Sequence, residues 1–478
     1  MAHAHSHTFT HFNPLRHEGL ALPSRRNLLK AGLAGLAGLS LPTLLRQQAQ
    51  AASPSKRGKS LILLWLTGGM SHIDTWDPKP ERPPENRGPF GVMKTKIPGT
   101  IICEHLPKMA AMLDRFTLIR SVDSDGSNHE PNRVMQAGYR DAEPRTNPNA
   151  NRYPAIGSVI AKQHGPNHPS MPPYATFMRS RSHVAFAGDL GKAYDPFVLN
   201  SAANGLPILD LVGQDSGSRT EASLFRLPAE VSYDRIDERR GLLKQFDTVR
   251  AEIDRTDSMA VMDRYGQQAV DMLVGRRMQD ALDLSKEPEA IRRRYGSHLW
   301  FQQALIARRM VEAGTAFITL DLSYHTASGT WDTHGDNIPP YGGISKGLKP
   351  LLPLLDHLVT TLIEDLDQRG LLDDCLVLVM GEFGRTPQMG TQGSTDGRNH
   401  WPPVSSMALA GGGFRHGQVI GATERDGGKI KERPVTPGDL AATIYHHFGV
   451  PQDTVYFEPT GRPINVVQEN GKPLAELV

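Results

Sequence analysis

Five short apolar segments occur along the chain, and the first is bounded by polar residues and by Gly68-Gly69. They comprise residues 61–66, 116–120, 317–322, 375–380 and 406–410. A continuous apolar run of this length is typical of a strand that is buried on both faces of a sheet. We therefore predict that these segments form the central strands of the protein.

Two amphipathic segments have the spacing of helices. Over residues 351–369, leucines recur every three or four positions, and Gly370 follows as a C-terminal stop. Over residues 437–448, Pro437 lies in the first turn and Gly449 lies just beyond the end. Strands that alternate with helices in this order predict an α/β sandwich with a mainly parallel central sheet.

The segment at about residues 223–314 differs from the rest of the chain. It is rich in charged residues, follows a helical pattern and contains no clear strand. We interpret it as a helical insertion in a single domain. Its run of three arginines, Arg292-Arg293-Arg294, is typical of a solvated helix face.

The first 51 residues have the features of an export signal. Arg25-Arg26 precedes a weakly apolar stretch at residues 31–45 and a small-residue cleavage pattern, Ala49-Gln50-Ala51. Paired arginines in this position resemble a twin-arginine signal, and the apolar stretch is too short and too glycine-rich for a stable membrane span. We expect residues 1–51 to be cleaved, residues 52–478 to be the mature domain, and the twin-arginine machinery to export it to the periplasm or beyond.

Composition and charge exclude several classes of protein. The chain has 53 Lys and Arg against 51 Asp and Glu, a net charge of +2 without a basic stripe, which argues against nucleic acid as a partner. Its two cysteines rule out a disulfide scaffold and a thiolate zinc site. Histidine is the unusual residue, with 19 in the chain.

Acidic and histidine side chains gather beside the predicted strands. In open α/β sheets, ligands bind at the carboxyl ends of the strands, so these side chains are expected to meet at one edge. Mixed carboxylate and imidazole ligands suit zinc, manganese or iron, and carboxylates alone suit magnesium or calcium. Each residue also has a structural alternative, such as a turn or a loop hydrogen bond. The candidate ligands are Asp74 (or Asp77), Asp332, His334, Glu382 and His400.

Several longer motifs resemble a known bacterial family. The runs WDTHGDN, LDQRGLLDDCLVLVMGEFGRTP, GRNHWP and LAGGGFRHGQVIGAT are similar to those of the twin-arginine-exported family named domain of unknown function 1501. The resemblance covers nearly the whole mature chain. That family is in turn similar to the alkaline phosphatase and sulfatase superfamily, which implies a central sheet between two layers of helices and a metal site at the carboxyl edge of the sheet.

The resemblance also implies roles for single residues. Asp74, Asp332, His334 and His400 would bind metal, with Asp321 and His325 as an alternative to Asp332 and His334. Glu382 stands where the superfamily has an adjacent Asp-His pair. Ser127 would be the nucleophile, with Ser121 and Ser124 as alternatives, or it would simply cap a helix. His129 would be a base or a metal ligand. Arg385, Arg398 and Asn399 would hold the anionic group of the substrate. The chain lacks the Cys-x-Pro-x-Arg signature of formylglycine sulfatases.

These expectations lead to a first functional hypothesis. We predict an exported, metal-dependent hydrolase of phosphate or sulfate esters, with a small-molecule or carbohydrate ester as substrate. A non-catalytic, metal-stabilised binding protein of the cell envelope is the alternative. A purely structural envelope protein, without metal, is a third.

Overall fold

The structure, a computed structural model, describes residues 58–129, 132–200, 276–325, 329–335, 342–390 and 393–478. The predicted signal at residues 1–51 and the part of the predicted insertion at residues 223–275 lie outside these described residues. The described remainder of the predicted insertion, residues 276–314, is helical.

Strands and helices alternate along the described chain. The strands are β1 Ser60–Trp65, β2 Val92–Lys94, β3 Ile101–Cys103, β4 Phe116–Val122, β5 Tyr174–Phe177, β6 Phe197–Val198, β7 Phe317–Asp321, β8 Cys375–Met380, β9 Gly384–Arg385, β10 His400–Trp401, β11 Ser405–Gly411, β12 Gln418–Ile420, β13 Ala422–Thr423, β14 Ile430–Glu432, β15 Val455–Phe457 and β16 Pro463–Asn465. The α-helices are α1 Pro84–Arg87, α2 Pro107–Ala111, α3 Val134–Ala137, α4 Ile156–Gln163, α5 Arg277–Leu282, α6 Glu289–Tyr295, α7 Leu299–Ala313, α8 Lys349–Gln368 and α9 Pro437–Phe448.

Eight strands form the central sheet, in the order β12-β4-β11-β8-β1-β7-β5-β6. The five predicted strands are β1, β4, β7, β8 and β11, and both predicted helices appear as α8 and α9. Within this sheet, β11 runs antiparallel to its neighbours β4 and β8, and the other pairs are parallel. The predicted mainly parallel α/β fold is confirmed.

The core lies on both faces of this sheet. Along β1, Ile62 and Leu64 pack into one apolar cluster with residues of α7 and α8, whereas Leu61 and Leu63 pack into a second cluster with residues of α4 and α9. Alternate side chains of a strand point to opposite faces, so a continuous apolar run fills both layers. The central strands are therefore buried on both sides by helices, as the apolar runs predict.

Helix α9 shows how local sequence sets an element's ends. The side chain of Thr436 accepts a hydrogen bond from Asp439 N, and the Asp439 side chain accepts one from Thr436 N, which forms a capping box. Gly449 ends the helix with a φ of 69°, a left-handed conformation that glycine adopts without steric cost.

Among the described residues, no helix combines the length and apolar character needed to cross a bilayer.

Strand direction determines which loops meet at the edge that carries the polar side chains. Trp65, near the end of β1, pairs with Asp321 at the end of β7 and with Met380 at the end of β8. The segments that follow these strands therefore leave the sheet side by side. Because β11 is antiparallel, the residues that precede it lie at this same edge, which brings in His400 of β10.

Candidate metal centre

Four side chains at the carboxyl edge of the sheet form a compact cluster, which we call the metal centre. They are His129, Asp332, His334 and His400, and one potential ligand atom from each lies within 4.8 Å of the others. His129 follows β4, Asp332 and His334 follow β7, and His400 precedes β11. Residues far apart in the chain thus meet because their strands lie next to one another.

Asp332 lies at the middle of the metal centre. Its carboxylate oxygens are 3.1 Å from His129 Nε2, 3.1 Å from His334 Nε2 and 3.6 Å from His400 Nε2. The ring of His400 contacts both other imidazoles, with centroid separations of 4.1 Å to His129 and 4.4 Å to His334.

The polar atoms of the metal centre fit a metal ion. His129 Nε2 and His400 Nε2 are buried, and both face the Asp332 carboxylate, at 3.1 and 3.6 Å. Buried nitrogen and carboxylate oxygen atoms that converge at this spacing offer their lone pairs to a cation. Three imidazoles and one carboxylate form a donor set that suits zinc and related transition ions.

Burial keeps two of the imidazoles neutral. It lowers the pKa of His334 to about 4 and that of His400 to about 3, so at pH 7 each ring carries a nitrogen lone pair for a metal. Burial also acts to lower the pKa of His129, but the carboxylates of Asp332 and Glu382 outweigh it and raise that pKa. The pKa of Asp332 is held far below its usual value because Arg385 and the imidazoles overcome the effect of burial.

Arg385 contacts the metal centre through Asp332. Its Nη2 lies 2.5 Å from Asp332 Oδ1 and also donates to the carbonyl oxygen of Gly68. The remaining contacts of this fully buried guanidinium are Nε to Gly69 O at 2.8 Å and Nη1 to Arg398 O at 3.2 Å. The structure therefore places Arg385 where it orients Asp332.

Asp74 lies in a separate ion pair, outside the metal centre. Arg398 donates from Nε to Asp74 Oδ2 at 2.6 Å and from Nη2 to Asp74 Oδ1 at 3.2 Å, and Ser71 Oγ donates to Oδ2 at 2.5 Å. Both charged side chains are buried. The alternative residue, Asp77, is paired with Lys79 at 2.9 Å. The structure thus does not bring either aspartate to the other predicted ligands.

Two further predicted residues flank the centre. Asn399 is half-buried, and its Oδ1 accepts the backbone N–H of His400 at 2.8 Å, so it contacts the segment that carries a ligand. Glu382 directly follows β8 and is 1 % exposed. Its Oε1 accepts from His129 Nδ1 at 2.9 Å and from Gly68 N at 2.8 Å.

Gly68 is a residue of the site that we did not single out from the sequence. Its N–H binds Glu382 and its carbonyl oxygen binds Arg385, so the backbone of this one residue contacts the partners of His129 and Asp332. Its φ is 119°, and a Cβ at this position would lie 2.3 Å from Asp332 N. Only glycine fits this close approach. The signal in the sequence is the Gly68-Gly69 pair, which follows the first apolar run after one residue, Thr67.

Ser127 differs from the other two candidate serines. Ser121 Oγ donates to Arg433 O at 2.5 Å and Ser124 Oγ donates to Pro402 O at 2.7 Å. Ser127 Oγ is buried and makes no hydrogen bond to a described residue. The first helix described after Ser127 is α3, which begins at Val134 with Arg133 at its N-cap, so Ser127 caps none of the described helices.

Several solved protein structures are similar to this chain. Among solved structures, the chain is similar to the PsFucS1 sulfatase from Pseudoalteromonas sp., at 13% identity over 95% of this chain and 78% of that one, with a TM-score of 0.37. It is also similar to the phosphonate monoester hydrolase SpPMH from Silicibacter pomeroyi, at 13% identity over 88% of this chain and 76% of that one, with a TM-score of 0.36.

A third similar structure is the C-terminal periplasmic domain of EcEptC from Escherichia coli in complex with Zn, at 11% identity over 88% of this chain and 89% of that one, with a TM-score of 0.33. No curated protein matches the sequence. The family described as "Protein of unknown function (DUF1501)" matches residues 58–478. The chain therefore belongs to the DUF1501 family, as its motifs indicate.

Proposed function

We propose that this protein is a metal-dependent hydrolase of phosphate or sulfate esters. The observation that carries the proposal is the metal centre itself, a buried set of three imidazoles and one carboxylate at the carboxyl edge of a mainly parallel sheet. This edge is where open α/β sheets bind their ligands.

His129, Asp332, His334 and His400 would hold the ion. A divalent ion bound there supplies a Lewis acid that polarises an ester and lowers the pKa of a coordinated hydroxyl. Glu382 and Asp332 each carry one negative charge and Arg385 carries one positive charge, so a divalent ion leaves this group of residues net positive. A positive, largely buried centre favours an anionic group such as a phosphate or sulfate ester.

Ser127 is the nucleophile in this proposal, since its buried hydroxyl is two residues from His129 and has no described hydrogen-bond partner. Its Oγ would form a bond to phosphorus or sulfur while the bond to the alcohol oxygen breaks. The hydroxyl proton of Ser127 ends on the departing alcohol. Water then hydrolyses the seryl ester, which regenerates the serine and releases inorganic phosphate or sulfate.

The same geometry supports a second candidate, a metal-stabilised binding protein without catalysis. Four protein ligands complete a tetrahedral zinc site, and closed four-ligand sites are typical of structural zinc, whereas catalytic sites keep one position open. In the hydrolase, one of the four protein ligands must leave the ion, or the ion must accept a fifth ligand, so that the substrate can bind it. His400 is the most accessible member of the set, with 29% of its side chain accessible.

The site of action is also part of the proposal. The paired arginines, the weakly apolar stretch and the small-residue cleavage pattern within residues 1–51 support twin-arginine export to the periplasm or beyond. We propose that the enzyme acts there on an ester of a small molecule or a carbohydrate.

Ester hydrolysis with and without metal tests the proposed function. The substrates are p-nitrophenyl sulfate, p-nitrophenyl phosphate and p-nitrophenyl phenylphosphonate, which represent sulfate, phosphate and phosphonate esters. We expect the protein loaded with zinc or manganese to hydrolyse at least one of them, chelation to abolish the rate, and added metal to restore it. If the metal-loaded protein hydrolyses none, the binding protein replaces the hydrolase as the better account.

A further inference from the structure

Glu382 has an arrangement that its predicted role as a metal ligand does not explain. One of its oxygens, Oε1, accepts two hydrogen bonds at once, from His129 Nδ1 at 2.9 Å and from Gly68 N at 2.8 Å. The side chain is 1 % exposed, so both contacts lie out of reach of bulk water. The cluster of atoms within 4.8 Å of one another contains His129 but not Glu382.

We propose that Glu382 is a positioning residue that orients the ring of His129 through its Nδ1, and that it does not bind the metal itself. This inference rests on the metal centre of the proposed function. Glu382 would contact the ligand His129 through its imidazole ring and would not contact the ion.

The two nitrogens of His129 face different carboxylates. Nδ1 lies 2.9 Å from Glu382 Oε1, and a carboxylate accepts, so this contact places a proton on Nδ1. Nε2 faces the metal centre, where it lies 3.1 Å from Asp332 Oδ2. Because Glu382 occupies the Nδ1 side of the ring, Nε2 is the nitrogen that a bound ion would take. Glu382 therefore orients the ring with Nε2 toward the metal centre.

A backbone contact holds Glu382 in this position. The N–H of Gly68 binds the same oxygen that holds His129, and the carbonyl oxygen of Gly68 binds Arg385, which holds Asp332. A positive φ and a close approach to Asp332 N allow no side chain at Gly68. Glu382 thus connects His129 to a closely packed turn, and two members of the metal centre, His129 and Asp332, share this support.

The second oxygen of Glu382, Oε2, leaves a competing interpretation, in which Glu382 itself binds the metal. It is buried and makes no hydrogen bond to any described residue, so a metal or a water molecule is its alternative partner. A positioning carboxylate and a ligating carboxylate differ in what remains after His129 is removed. Only a ligating Glu382 would contribute to metal affinity without the imidazole.

The zinc affinities of four proteins separate these roles, measured by competition with a chromophoric chelator. We expect Glu382→Gln to bind one equivalent of zinc about 10- to 100-fold more weakly than the parent, which is the usual effect of losing an outer carboxylate. His129→Ala should lose more affinity, and adding Glu382→Gln to His129→Ala should cause no further loss. An additional loss in the double variant, or unchanged affinity in Glu382→Gln alone, would overturn the proposal.

A matched control is available in α8. Asp356 is also buried and accepts two backbone N–H groups, from Lys108 at 2.9 Å and from Met109 at 2.7 Å, and it is not part of the metal centre. Asp356→Asn should therefore leave zinc affinity within about two-fold. A comparable loss in this variant would show that Glu382→Gln acts through general destabilisation.

A spectroscopic measurement on the metal-free protein tests the contact between Glu382 and His129 independently of metal binding and of hydrolysis. In the metal-free protein labelled with nitrogen-15 histidine, the His129 Nδ1–H proton should be visible and protected from exchange, because Glu382 accepts it in a buried site. Glu382→Gln should shift it and speed its exchange. An unchanged signal would refute the contact, whereas absence of zinc binding in the parent protein would refute the metal centre.

Discussion

Replacing Ser127 with alanine is expected to abolish ester hydrolysis, lowering kcat/KM by roughly a thousand-fold or more, the scale seen when a covalent nucleophile is removed. The change deletes a buried hydroxyl that makes no hydrogen bond to the described residues, so it should cost little stability. Metal content should remain that of the parent. The measurement is initial-rate kinetics on the best ester, with elemental analysis of the same sample.

Ser124→Ala is the matched control for this variant. Ser124 is three residues away and equally buried, but its hydroxyl donates to Pro402 O at 2.7 Å. Losing this bond should cost about 1 kcal/mol of stability and change kcat/KM by only a few-fold. If Ser127→Ala retains the parent's rate, a metal-activated water must replace the serine as nucleophile.

Replacing Arg398 with methionine is expected to lower the free energy of unfolding by about 3–5 kcal/mol, because it leaves the buried carboxylate of Asp74 without its cation. The pair is bidentate, and neither side chain reaches solvent. Combining the change with Asp74→Asn should restore much of the loss, because the uncompensated charge is then removed. Urea unfolding of the single and double variants measures both effects.

Two comparisons sharpen this prediction. Arg293→Met breaks an exposed pair with Glu289 and should change stability by less than about 1 kcal/mol. Asp74→Asn alone should keep the parent's metal content, since the structure pairs Asp74 with Arg398 and not with the metal centre. Loss of metal in that variant would show that Asp74 is a metal ligand, as the resemblance to the superfamily implies.

The sequence predicts the fold well because burial leaves a direct mark on composition. Each central strand is an apolar run, since both of its faces contact helices. The composition of β11 does not reveal that it runs antiparallel, because an apolar run looks the same in either strand direction. That direction is what brings His400 to the edge where the other strands end.

Partners of charged residues were harder to predict than their positions. Glu382 follows a buried strand, so the sequence indicates that it needs a partner, yet a metal, an arginine or an imidazole would each satisfy it. Asp74 and Arg398 are 324 positions apart, and no local pattern predicts their pairing. Asp332, His334 and His400 lie together because the ends of their strands meet at one edge of the sheet, and their role as metal ligands stays a prediction.

Elemental analysis of the protein, purified without chelator or histidine tag, tests the metal centre most directly. A His334→Ala, His400→Ala variant purified in parallel serves as the control, and both samples are also analysed after incubation with added zinc, manganese, magnesium or calcium. We predict about one equivalent of a divalent metal in the parent protein and its loss in the variant. Parent protein without metal under every condition, or equal metal content in the variant, would contradict the account.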